Sequence, residues 1–301
     1  MHTPYQPHWS QTSSRTLNQC PRAWTLKYAM GPHGRPLHRK NDTTVPERTE
    51  DAVVHAMRRV MVRLFGDLHA GKRWSKPYLQ QRLKLALDAL CGREDSTPAK
   101  LHRSIDVSRM VHQLDQLMQT VSIRALVNRE RPRWAWFERT AVAHADGITF
   151  YAAPDLAVYH QGKWTLIRIQ MRSTATPLLS QDLEHALMVK WALATSGLPD
   201  DPSLYRLRVL RWNQNRWWEH QVGTSKERLQ QAWELVRHDI SEMKWMVRSA
   251  NADPSLRSVP LAHDERICDS CRYCPNCPAS EGLIAAREAQ DAALLKGSTQ
   301  A

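Results

Sequence analysis

Apolar residues recur every three to four positions at Val53, Val54, Met57, Val60, Met61 and Leu64. That spacing predicts an amphipathic helix from Pro46 to about Phe65, with Thr44 as a plausible N-cap. Helical patterns continue over roughly Pro77–Leu90 and Ile105–Val127, the latter marked by Val107, Met110, Val111, Leu114, Leu117 and Met118. Upstream, Trp9 to Met30 reads as two short helices broken at Cys20-Pro21, because proline suits the first turn of a helix. The stretch from Gly31 to Asp42 has no periodicity and reads as a basic loop.

The character changes at Arg133. Trp134–Val142, Thr149–Tyr159 and Trp164–Met171 read as strands, separated by Ala145-Asp146-Gly147 and Gln161-Gly162-Lys163 turns. A helix from about Leu179 to Thr195 follows, ended near Gly197 and Pro199. Two further strands, Tyr205–Trp212 and Arg216–Val222, flank Asn213-Gln214-Asn215. Thr224-Ser225-Lys226-Glu227 is a capping box that opens a helix to about Val247. A proline-bearing loop, a cysteine cluster and an alanine-rich helix from about Ser280 close the chain. No internal repeat is visible. The order predicts an α/β fold with a central mixed sheet flanked by helices. Four regions are expected: 1–45, 46–132, 133–250 and 251–301.

Within the strand 166–172, side chains alternate between faces. Ile167, Ile169 and Met171 are expected to meet the core. Leu166, Arg168, Gln170 and Arg172 share the other face.

Composition narrows the class. The chain has 301 residues, 42 % of them hydrophobic, which excludes a disordered chain, a collagen and a coiled-coil rod. No run approaches a membrane span, and no signal peptide is readable, so a cytoplasmic protein is expected. Lys plus Arg is 42 against 30 for Asp plus Glu, a formal net charge of +12. That excess, rich in arginine, points to a polyanionic partner, DNA first and RNA second. Simple solubility with a basic bias is the alternative.

Six cysteines are present. Four fall at every third position, Cys268, Cys271, Cys274 and Cys277, a spacing that packing does not explain. Structural zinc commonly uses two well-separated Cys-x2-Cys knuckles. A consecutive run ending in Cys-Pro is closer to iron–sulfur usage, so a [4Fe–4S] cluster is expected ahead of zinc. Four adjacent ligands would be cramped, which makes Cys20 a candidate remote ligand. Cys91, in an apolar helical run, is expected to be a buried free thiol.

The segment Ser13-Ser14-x2-Leu17-x2-Cys20-Pro21-Arg22-x-Trp24-x3-Tyr28 resembles the opening of RecB/AddB-type iron–sulfur nucleases of the PD-(D/E)xK superfamily, a group that includes CRISPR adaptation nucleases. The resemblance runs from about Ser13 to Cys277 and implies a restriction-endonuclease-like core with a helical insertion. It also implies cluster ligands Cys20, Cys268, Cys271 and Cys277, with Cys274 as an extra residue and alternative ligand. The cluster would then staple the chain ends across the core.

In the same comparison His55, within Glu50-Asp51-Ala52-Val53-Val54-His55, matches the family's helix histidine, with Asp51 where glycine is usual. Pro154-Asp155 matches its Pro-Asp, after Trp136-Phe137-Glu138 on the earlier strand. The following strand departs from the motif: Arg168 stands where the acid is expected and Gln170 where the lysine is expected. Leu187 and Trp191 replace a Gln and a Tyr. An arginine in the acid's place repels the Mg²⁺ or Mn²⁺ that such chemistry uses. Arg168 is expected to neutralise Asp155.

The reading is therefore a nucleic-acid-binding, non-cleaving nuclease-like protein, expected within a larger DNA-processing or defence complex. Arg168, Arg172 and Lys190 are its candidate phosphate contacts. The competing reading is an active metal-dependent nuclease with Glu138 or Glu184 as migrated carboxylates and Arg172 or Lys190 in place of the lost lysine. A weaker third reading is a redox or sensor protein.

Overall fold

The computed structural model describes residues 6–29, 49–91, 97–131, 133–173, 179–269, 271 and 273–298. The expected loop Gly31–Asp42, the Thr44 cap and the Pro46 helix start lie outside the described residues. Contacts divide the chain into two compact units. One gathers 1–45, 143–151 and 230–301. The other gathers 46–142 and 152–229.

The second unit is an α/β sandwich. Its sheet contains β2 (Trp134–Trp136), β5 (Leu156–His160), β6 (Lys163–Gln170), β7 (Tyr205–Asn213) and β8 (Arg216–Val222), adjacent in that order. All neighbours are antiparallel except β6 and β7, which run parallel with Arg168 opposite Val209. A parallel pair needs a long crossover, and α7 (Leu179–Leu193) lies in the connection. The β5–β6 and β7–β8 hairpins turn through Gln161-Gly162 and Gln214-Asn215, all four with positive φ. That is the two-residue turn whose twist suits antiparallel strands.

One face of this sheet meets helices α3 (Thr49–His69), α4 (Lys76–Cys91), α5 (Thr97–Gln119) and α6 (Val121–Val127). Met57, Val60, Met61 and Phe65 of α3 join Leu83, Leu87, Met110 and Leu114 against Ile167, Ile169 and Met171. Leu79, Leu83 and Leu87 are four apart, so they share one helical stripe and are buried. Cys91 falls at the helix end and is exposed, which corrects its expected burial.

The sheet's other face is also covered. Leu166, Arg168 and Gln170 are buried there, and α7 supplies Glu184 and His185 to them. The polar face of β6 is therefore an interior one.

One expected element is shortened and two are divided. The strand 134–142 ends at Trp136, because the segment beyond it turns at Glu138–Ala141. The strand 149–159 is two strands in different sheets, broken at Ala152–Asp155 around Pro154, which has no N–H to donate. The helix 105–127 is α5 and α6, separated at Thr120.

The first unit holds β1 (Trp9–Ser10), α1 (Gln11–Gln19), α2 (Pro21–Tyr28), β3 (Ala143–Ala145), β4 (Ile148–Tyr151), most of α8 (Lys226–Ala252), α9 (Glu265–Asp269) and α10 (Leu283–Ser298). A small sheet orders β1, β4 and β3. Buried tryptophans are tied by their indole N–H groups: Trp9 to Asp239 at 2.9 Å and Trp24 to Ser13 at 2.9 Å. Arg22 Nη1 donates to the Leu256 carbonyl at 2.6 Å, fastening α2 to the loop after α8. No helix among the described residues is long and apolar enough to cross a membrane.

Candidate functional site

Asp155 stands at the start of β5, at the end of the Pro154 break. Its backbone N–H donates to the Ile167 carbonyl at 2.9 Å, which aims the side chain at β6. There the Ile169 N–H donates to Asp155 Oδ2 at 2.7 Å. Arg139, carried on the turn after β2, approaches as a fork: Nε to Oδ1 and Nη2 to Oδ2, each 3.0 Å. Arg139 Nη2 also donates to the Ile169 carbonyl. Arg168 Nη1 reaches Asp155 Oδ2 at 3.4 Å, the pairing that strand alternation anticipates, and its Nη2 donates to Glu184 at 2.8 Å. Arg168 is 1 % exposed and Asp155 5 %.

Burial alone would raise the Asp155 carboxyl. Arg139 first and then Arg168, with the Arg139 and Ile169 N–H bonds, hold it below its ordinary value. The Arg168 guanidinium is lowered by burial and by Arg139, against the opposing pull of Glu184 and Asp155.

The remaining candidates fall in distinct places. His55 is exposed on α3, whereas Arg58, three residues on, is the α3 side chain within the electrostatic field of Asp155, Arg139, Arg168 and Glu184. Arg172 is exposed and lies 3.4 Å from Asp51. Lys190 is half-buried on α7. Glu138 is exposed and accepts from Thr140 at 3.3 Å, while Glu184 is committed to Arg168. Gln170 is buried, with Nε2 3.1 Å from His185 Nε2.

Arg139, Arg58 and His185 are the site residues that sequence reasoning missed. For Arg58 a signal exists: it sits on the stripe Val54, Arg58, Met61, Phe65, where every other member is apolar. Arg139 carries no comparable mark.

His185 Nδ1 lies 3.9 Å from Asp182 and has no hydrogen-bond partner among the described residues. Burial first, then Arg168, Arg211, His220 and Arg139, push His185 down to about 3. The unfolded imidazole titrates near about 6.5, so between these values the unfolded chain binds a proton that the folded chain refuses. Stability therefore rises with pH across this window and is lost as pH falls through it. His185→Gln is expected to flatten the urea midpoint between about pH 6.5 and 4 relative to the parent protein. Equal slopes in the two proteins would contradict the assignment.

Cys20 and the four C-terminal cysteines, a second candidate group, lie within the first unit. Cys20 caps α2, its Sγ accepting the Ala23 N–H at 3.3 Å. It is 8 % exposed in an apolar cluster with Leu261, Ala262, Ile267, Cys268, Cys277 and Leu283. The C-terminal run is a staircase of three-residue turns: Cys271 N–H to Cys268 O, Cys274 N–H to Cys271 O, and Cys277 N–H to Cys274 O, at 3.0, 3.1 and 3.0 Å.

Burial first, then Cys20, Cys274, Cys277 and Cys271, push Cys268 up to about 11. Cys20 and Cys271 are raised as well, by burial and by neighbouring cysteines. None of the six cysteines is in a disulfide. Among the described residues, no three His, Cys, Asp or Glu side chains are gathered so as to hold a single metal ion.

A mixed-sheet core with a Pro-Asp strand entry facing the next strand is consistent with a nuclease-like fold. A family model for the PD-(D/E)XK nuclease superfamily matches residues 8–278, and the chain belongs to that superfamily. No curated protein matches the sequence. A solved structure described as "Crystal structure of SSO0001" is similar at 11 % identity, covering 77 % of this chain and 96 % of its own, with a TM-score of 0.33.

The superfamily implies interaction with nucleic acid, and its chemistry implies a divalent cation. The donor set around Asp155 does not suit one. Both carboxylate oxygens already accept from cationic or backbone donors, and two guanidinium groups stand where a cation would need further oxygens.

Proposed function

We propose that this protein is a nucleic-acid-binding iron–sulfur member of the superfamily that does not cleave its ligand and works within a larger DNA-processing or defence complex. The observation that carries the reading is the engagement of Asp155 by Arg139, Arg168 and the Ile169 N–H. A carboxylate so neutralised, flanked by two guanidinium groups, is a poor ligand for Mg²⁺ or Mn²⁺.

Arg168 is buried, so its part is to hold Asp155 and Glu184. Phosphate contact falls to more accessible residues such as Arg172 and Lys190. Arg172 lines a groove of about 1000 Å³ with Arg109, His112 and Trp212, where Asp106 is an opposing charge. Cationic and aromatic side chains together suit a backbone with stacked bases.

Cys20, Cys268, Cys271 and Cys277 would hold a [4Fe–4S] cluster, with Cys274 as alternative. When bound, the group supplies a covalent tie between the two ends of the chain. What supports iron–sulfur is the consecutive Cys-x2-Cys run ending in Cys-Pro, with Cys268 and Cys277 packed near Cys20 in one apolar cluster.

The test uses anaerobically purified full-length protein. Duplex DNA is expected to bind, and affinity to fall by roughly 10³ between about 50 and 200 mM salt if some six phosphates are neutralised. No strand cleavage is expected with Mg²⁺ or Mn²⁺. Cleavage that needs the cation and disappears in Glu184→Gln would overturn the non-cleaving assignment in favour of a migrated carboxylate. Salt-independent binding, or no binding to DNA or RNA, would overturn the nucleic-acid assignment.

A further inference from the structure

A cavity of about 520 Å³ opens beside Asp155 in the α/β unit. Arg58, Arg59 and Arg63 of α3 line it together with Arg139, against Glu138 and Asp155. Four cations thus face two carboxylates. Asp155 is already taken by Arg139, Arg168 and the Ile169 N–H, and Glu138 is exposed beside Thr140.

Arg58 is the unbalanced member. Its Nε is shielded from solvent and has no hydrogen-bond partner among the described residues. Arg139 first, then burial, lower its guanidinium to about 10, and Asp155 and Glu184 only partly offset them. A buried donor without an acceptor is costly, and a half-buried cation repelled by another cation adds to that cost. An anion entering the cavity would offset the repulsion between the Arg58 and Arg139 guanidinium groups.

We propose that this cavity is an anion site that takes a phosphate group, with the Arg58 fork as its principal donor and Arg59 and Arg63 as guides at the rim. Guanidinium matches a phosphate's paired oxygens, whereas a divalent cation would meet four like charges. The choice of phosphate over other anions rests on the nucleic-acid reading above. Two sources supply that chemistry, a terminal phosphate monoester and an internal phosphodiester.

The experiment uses the full-length protein with inorganic phosphate, a 5′-phosphorylated DNA oligonucleotide and its 5′-hydroxyl twin, all at ionic strength matched with sodium chloride. Phosphate is expected to raise the melting midpoint of the parent protein, and Arg58→Gln to remove most of that rise. Loss of one charge-assisted bond corresponds to about tenfold or more in affinity. Tighter binding of the 5′-phosphorylated strand, lost in Arg58→Gln, assigns the monoester. Equal binding of both strands, weakened equally by Arg58→Gln, assigns the diester.

A phosphate-induced rise of the same size in parent and Arg58→Gln overturns the site, because excluded salts stabilise proteins generically. If Arg58→Gln does not fold, Arg58→Lys, which keeps the charge and loses the fork, and Arg59→Ala carry the same comparison. DNA binding that survives Arg58→Gln unchanged removes the cavity and leaves the nucleic-acid reading standing. Arg58-dependent phosphate binding without DNA binding does the reverse.

Discussion

Asp155→Ala is expected to destabilise the α/β unit by about 3–5 kcal/mol, the cost of removing one partner from a buried ion pair. The substitution leaves Arg139 and Arg168 facing each other with Glu184 as the acid still bonded to Arg168. It also strips the Ile169 N–H of its acceptor. Adding Arg139→Ala to Asp155→Ala is expected to cost less than the two single effects summed, since the second change removes a cation the first left unpaired. Urea denaturation of the four proteins measures both quantities.

The effect carries a pH signature. The folded Asp155 carboxyl is held below its ordinary value, so its contribution is present above the unfolded pKa of about 3.9 and is lost as pH falls through the folded value. The gap between parent and variant is therefore expected to be widest near neutrality and to close in strong acid. A loss below about 1 kcal/mol at neutral pH would place Asp155 among exposed ion pairs and contradict its burial.

Cys20→Ser is expected to strip the anaerobic protein of most of its iron and of its broad visible absorbance. Cys20 meets Cys268 and Cys277, far along the sequence, in one apolar cluster. A metal group spanning them closes a very long loop. By the chain-entropy argument for cross-links, such closure is worth on the order of 5 kcal/mol. The variant's melting midpoint is expected to drop accordingly, while Cys274→Ser retains iron. Iron that persists in Cys20→Ser and vanishes in Cys274→Ser would assign all ligands to the C-terminal run.

Much of the scaffold was legible because it depends on local period. The stripe Leu79, Leu83, Leu87 and the alternation along β6 each bury one face, and both patterns are visible without partners. The Asp146-Gly147 and Gln161-Gly162 turns were equally plain, since few residues accept positive φ at both centres. Where a break depended on context, the reading failed. Nothing in 149–159 says that Tyr151 and Leu156 join different sheets, because strand pairing is chosen by distant partners.

The same boundary runs through the candidate site. Sequence by itself placed Asp155 after a proline, put Arg168 on the opposite face from Ile167 and Ile169, and set four cysteines three apart. Those are consequences of chain geometry over a few residues. Only the tertiary structure decided that α7 covers the polar face of β6 and makes it an interior one. Only it brought Arg139 onto Asp155 and Arg58 beside both. An arginine's partner is settled by which surfaces pack together, and desolvation then decides whether its charge is idle or costly.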